Sequence, residues 1–109
     1  MRKRGRAMRL IIMFDLPTTT KRQLKEYNTF RRFLLNSGFY MIQFSIYAKL
    51  CNNYDSLAVM QKWVEKNLPK AGNVRSLAVT ENQYRDMHIL VGETSVQEEG
   101  QNLEGVVII

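Results

Sequence analysis

The chain has 109 residues, with 16 Lys and Arg against 10 Asp and Glu for a net charge of +6. That length suits one domain with its own core, and 45% apolar with 24% charged residues excludes a disordered chain. One Cys and one His exclude an internal disulfide and a cysteine-based zinc site, and no apolar stretch approaches the ~20 residues that span a bilayer.

Residues 1–8 read as a basic arm carrying Arg2, Lys3, Arg4 and Arg6 without apolar periodicity. The apolar run behind it, Leu10 to Phe14, is shorter than a signal-peptide core, so export is not expected and a reducing cytoplasm is the expected compartment. Residues 9–92 read as the folded domain. Arg9 to Leu16, bounded by Pro17, is a continuous apolar run that predicts a strand buried on both faces. Thr18, Thr19 and Thr20 offer helix N-caps, and a helix is expected from about Lys21 to Asn36. Its buried face would carry Leu24, Tyr27, Phe30, Phe33 and Leu34, with Lys21, Lys25, Asn28 and Arg32 opposite and Gly38 as the terminator.

Phe39 to Leu50 is aromatic and β-branched, predicting two strands that turn near Gln43, Phe44 and Ser45. A second helix is expected from about Asp55 to Leu68, burying Leu57, Met60, Val64 and Leu68 with Trp63 alongside. Val74 to Thr80 predicts a strand, Glu81 to Asp86 one helical turn, and Met87 to Val91 a further short apolar element. Residues 93–102 read as a polar acidic linker, and Leu103 to Ile109 as a terminal strand for pairing with another subunit. The order βαββαβ plus one or two extra strands is the ferredoxin-like arrangement, an α+β fold with both helices on one face of an antiparallel sheet.

The sequence lacks a GxxxxGK[ST] loop, a GxGxxG loop, HExxH and paired cysteines. Cys51 reads as a small buried hydrophobe and His88 as a polar residue at a strand edge. Asp15 ends an apolar strand, where it either forms a turn or helps cap the helix, or binds Mg²⁺. One aspartate is too few for a metal site, but a twofold dimer would supply a second. Charge is uneven along the chain. Residues 1–50 hold eleven basic and two acidic side chains, and residues 51–109 five and eight. A basic half implies either solubility alone or a polyanion partner. On the first helix Lys21, Lys25 and Arg32 align, Arg22 and Arg31 flank them, and Glu26 is the single acid. A face of one sign suits the tracking of phosphates, and Arg9 joins these as a candidate nucleic-acid-binding residue.

The segment from Arg9 through Phe14, Asp15, Leu16 and Pro17, followed about thirty residues on by Ile42-Gln43-Phe44-Ser45-Ile46-Tyr47, resembles the CRISPR-associated endoribonuclease two family. Leu-Pro-Thr-Thr-Thr-Lys after the aspartate is similar to members from type II systems. The resemblance implies a ferredoxin-like homodimer whose terminal strand, here Leu103, Val106, Val107, Ile108 and Ile109, crosses to a partner. It implies Asp15 as Mg²⁺ ligand and catalytic residue for phosphodiester cleavage of single-stranded RNA or duplex DNA. It also implies a dimer that holds duplex DNA and bridges two dimers of the CRISPR integrase in a heterohexamer during spacer acquisition. Arg22 occupies a position where members often carry a basic residue. Met41 stands where many carry arginine, and Tyr47 where phenylalanine is common; the first departure counts against ribonuclease activity. Two other functions stay open: a toxin-like messenger RNA nuclease, and a non-catalytic regulatory ferredoxin-like domain.

Overall fold

A computed structural model describes residues 6–94. The elements are β1 (Met8–Asp15), α1 (Lys21–Asn36), β2 (Tyr40–Gln43), β3 (Ile46–Cys51), α2 (Tyr54–Glu65), β4 (Asn73–Thr80) and a short α3 (Glu81–Arg85). The arm up to residue 5, the linker from residue 95 and the terminal strand expected at 103–109 lie outside the described residues.

The sheet order is β2-β3-β1-β4, and β1 is antiparallel to both β3 and β4. This is the ferredoxin-like α+β arrangement. A strand with partners on both sides and cover on both faces needs apolar residues at every position. β1 meets that requirement from Leu10 to Phe14: Leu10 and Ile12 are fully buried on one face, and Ile11 is buried on the other. Across the helix-facing side, Met8, Leu10, Ile12 and Phe14 pack with Phe30, Leu34, Tyr47, Leu57 and Val64. Phe14 meets the Phe30 ring edge-on at 5.2 Å and stacks with Tyr47 at 5.7 Å. The opposite face is a smaller apolar surface of Ile11, Tyr40, Ala48 and Tyr84, with Met13, Ile42, Ile46 and Val79 around them.

Local signals set the element ends. The Gln23 N–H donates to Thr20 Oγ1 at 3.1 Å while the Thr20 N–H donates to Gln23 Oε1 at 3.1 Å, a capping box that starts α1 where the threonines predict it. Gly38, at φ 97°, ends the helix in the left-handed region. The β2–β3 turn falls at Phe44 and Ser45, with Ser45 at φ 64° and its carbonyl accepting from the Phe14 N–H at 3.0 Å. Asn53 caps α2, its Oδ1 accepting from the Ser56 N–H at 2.8 Å.

Three expectations change. Leu24 is half-exposed on the edge of α1 rather than in the core. α2 stops at Glu65, so Leu68 lies beyond it and is half-exposed, as is Trp63, which tilts against Phe33. Met87 to Val91 forms no strand: Leu90 and Val91 are exposed, because no sheet edge receives them among the described residues, and His88 is exposed outside any strand. No helix among the described residues is long and apolar enough to cross a membrane.

Candidate nucleic-acid interface and strand-end carboxylate

α1 presents its outer face to solvent because its inner face is committed to the aromatic core. Lys21, Arg22, Lys25, Arg31 and Arg32 are all exposed, and none of their side chains pairs with an acid or forms a hydrogen bond with another described residue. Their charges are therefore available to a ligand. They do not form one patch, however. Arg22 and Arg31 are nine residues apart, which at 100° per residue places them roughly 180° apart around the helix. Lys21, Lys25 and Arg32 form the crest between these flanks. Arg22 and Lys25 border a groove whose far wall is the loop after α2. That loop adds Lys70, a residue the sequence pattern does not single out because it lies outside any periodic segment.

Arg9 does not belong to this surface, which corrects the expectation that it contacts nucleic acid. Its side chain is fully buried. Nε donates to Glu81 Oε1 at 2.6 Å and Nη2 to Glu81 Oε2 at 2.8 Å, while Nη1 donates to the Tyr40 hydroxyl. The guanidinium also lies 4.4 Å from the centre of the Tyr84 ring. Burial alone would lower its affinity for the proton. The Glu81 hydrogen bond and the attraction of Tyr40, Glu81 and Tyr84 more than offset this and hold Arg9 above its usual value. Because a buried charge without a partner is so unfavourable, the chain supplies a fork-to-fork acid from α3, 72 residues away. Sequence alone shows only an arginine beside a strand; its partner is invisible until β4 and α3 are placed.

Asp15 sits at the exposed end of β1, in register with Asn73. Strand alternation places it on the face of Ile11 and Met13, away from the helices. Water reaches Asp15, and its side chain makes no hydrogen bond or ion pair with another described residue. It neither caps α1, which Thr20 does, nor joins any group of three or more metal-ligating side chains among the described residues. A hard cation is compatible with an accessible, unpaired carboxylate, but one such group per chain leaves most of the coordination sphere to water, phosphate oxygens or a second copy. Glycine at position 72 preserves the site's shape: at φ 96°, its hydrogen occupies space where a Cβ would lie 2.7 Å from the Asp15 carbonyl oxygen. Cys51 is buried, and burial raises its thiol pKa although Lys49 pulls the other way, so it is poorly suited to nucleophilic chemistry.

The basic crest and the carboxylate thus lie on opposite sides of the sheet. The geometry separates a binding surface from a strand-end acid.

Comparison with known proteins gives a consistent result. The family described as "CRISPR associated protein Cas2" matches residues 8–87. A protein of Ligilactobacillus salivarius named CRISPR-associated endoribonuclease Cas2 is 45% identical over 102 residues, covering 94% of this chain and 100% of its own length. One of the same name from Streptococcus mutans serotype c is 48% identical over 86 residues, covering 79% of both chains. Among solved structures, one titled "Crystal structure of cas2" superposes with a TM-score of 0.56 at 16% identity, over 94% of this chain and 98% of that one. At that identity the superposition speaks to the fold alone.

Proposed function

We propose that this chain, which belongs to the CRISPR-associated Cas2 family, acts in spacer acquisition as a dimeric adaptor that grips duplex DNA through α1 and bridges integrase dimers. The observation that carries the reading is the row of exposed, unpaired cations on α1. Neutralising backbone phosphates releases counterions from the nucleic acid, which drives binding without reading sequence. A second copy is the natural cover for the face of the sheet that α1 and α2 leave open, where Leu77 stands half-exposed beside Ile11. The terminal strand at 103–109 would add to a free edge, either of that second copy or of the integrase, and β4 offers one such edge.

Duplex binding by a double variant, Lys25→Glu with Arg32→Glu, tests the adaptor reading. Affinity is expected to fall on every sequence alike, and the log–log salt dependence to become shallower by roughly one unit for each phosphate that is no longer neutralised. Unchanged affinity and slope would show that the crest is only solvated surface. Repeating the titration with the integrase present tests the bridge: the parent should enter a larger complex on DNA, and failure to do so removes the adaptor role.

A nuclease activity is the second reading, and the accessible carboxylate of Asp15 favours it. Mg²⁺ held there would polarise a phosphodiester and lower the pKa of its bound water. Asp15 would supply the ligand, and a second copy across a twofold axis the other carboxylate. The relatives' name, endoribonuclease, points to RNA as a substrate to assay beside duplex DNA.

A further inference from the structure

The groove between α1 and the loop after α2 is lined by Arg22, Lys25, Glu26, Thr29, Phe30, Asn67, Leu68, Pro69 and Lys70, and encloses about 350 Å³. Three of its side chains are cations and one is an acid. The side chains of Arg22, Lys25 and Lys70 make no ion pair or hydrogen bond with another described residue. The rest of the lining mixes polar Glu26, Thr29 and Asn67 with apolar Phe30, Leu68 and Pro69. Leu68 is 48% exposed, so an apolar surface faces solvent in a groove that also carries three cations.

The loop that carries Lys70 is held at both ends. The Asn67 N–H donates to the Val64 carbonyl at 2.9 Å, and Asn67 Nδ2 to the Trp63 carbonyl at 2.8 Å. At the other end, Gly72 abuts the Asp15 and Leu16 backbone, and Pro69 stiffens the span between. Lys70 therefore starts from a backbone held between α2 and the end of β1.

We infer that this groove is a phosphate–sugar subsite for a nucleic-acid strand, with Lys70 closing onto the same backbone that Arg22 and Lys25 hold. A strand presents an anionic phosphate every few ångströms, joined to a sugar whose C–H edge is apolar. That alternation suits a groove that holds three cations together with Leu68 and Pro69. The subsite meets no base edge, so it is indifferent to sequence. This inference rests on the nucleic-acid-binding reading of α1 and extends it to a loop that the helix pattern does not include.

Titrations of labelled duplexes of two unrelated sequences test it, using Lys70→Gln, Lys70→Arg and Leu68→Ala, with Lys62→Gln on the outer face of α2 as a control and Lys25→Glu/Arg32→Glu as the reference. All the single substitutions fall on solvent-accessible positions, and a thermal melt of each variant confirms folding. Lys70→Gln is expected to weaken binding of both duplexes by a similar factor, roughly three- to tenfold, and to lower the salt slope by roughly one unit. Lys70→Arg should retain parental binding. Leu68→Ala should weaken binding with the slope unchanged, because an apolar side chain releases no counterion. If Lys70→Gln binds like the parent while the reference variant fails, the groove is not a subsite and the α1 reading survives. If Lys62→Gln and Lys70→Gln lose affinity equally, only net charge matters and the inference is overturned. If the reference variant itself binds normally, the α1 reading has failed first.

Discussion

Arg9 carries a full charge into a region that water does not reach, and Glu81 is what makes this tolerable. The pair is bidentate, and Tyr40 and Tyr84 occupy the remaining directions. Removing one member leaves the other buried and uncompensated, which typically costs about 3–5 kcal/mol. Glu81→Ala is therefore expected to destabilise the fold by roughly 3 kcal/mol in urea denaturation. Arg9→Met combined with Glu81→Leu should recover most of that loss. If Glu81→Ala is neutral, the pair does not hold α3 to the sheet. Asp15 makes the opposite case: exposed and without partners among the described residues, it contributes little that folding would miss. Asp15→Ala should leave stability and duplex binding within error of the parent while abolishing any Mg²⁺-dependent cleavage of RNA or duplex DNA. Cleavage at the parental rate would end the metal assignment.

Legibility in the sequence differs between elements for physical reasons. α1 is sixteen residues with a strong apolar stripe and a threonine–glutamine capping box, so its bounds, Lys21–Asn36, follow from local signals alone. β1 follows from an apolar run that only a doubly covered strand explains. Met87 to Val91 has similar apolar content but no stripe, alternation or cap, and content without pattern does not make a strand. The role of Arg9 is hidden because a long-range ion pair leaves no local trace, and Lys70 because its loop has no period to read. Gly72 lies in that same loop. Its φ of 96° is strained for any other residue, and an added Cβ would come within 2.7 Å of both the Asp15 carbonyl oxygen and Leu16 Cδ2. Gly72→Ala is expected to cost about 1–3 kcal/mol in urea. It should also weaken duplex binding modestly, since it shifts the loop bearing Lys70. A variant as stable as the parent would mean that the loop relaxes freely and that Lys70 is not rigidly presented.

The molecule as a whole is asymmetric across its sheet. One side is sealed by α1 and α2 over an aromatic core; the other carries Ile11, Met13, Ile42, Ile46 and Val79 with, among the described residues, only α3 and its Tyr84 as partial cover. Leu77, paired with Ile11 in register, is 50% exposed on that open side. Asp15 shares this face, whereas the cations of α1 lie on the other. In the proposed dimer the two functions therefore depend differently on assembly: phosphate gripping needs only one chain, while metal chemistry needs two carboxylates and hence two copies. Leu77→Glu separates them. A substitution on a twofold interface enters twice, so a single buried carboxylate per chain places two charges at the interface. The variant is expected to sediment as a monomer at concentrations where the parent is a dimer. Its helical signal and melting transition should be retained, because Leu77 is not part of the monomer's core. Any Mg²⁺-dependent cleavage should vanish with the dimer, and duplex affinity per chain should fall only by the loss of bivalency. A Leu77→Glu protein that remains dimeric would place the interface elsewhere, and a monomer that still cleaves would show that one Asp15 suffices.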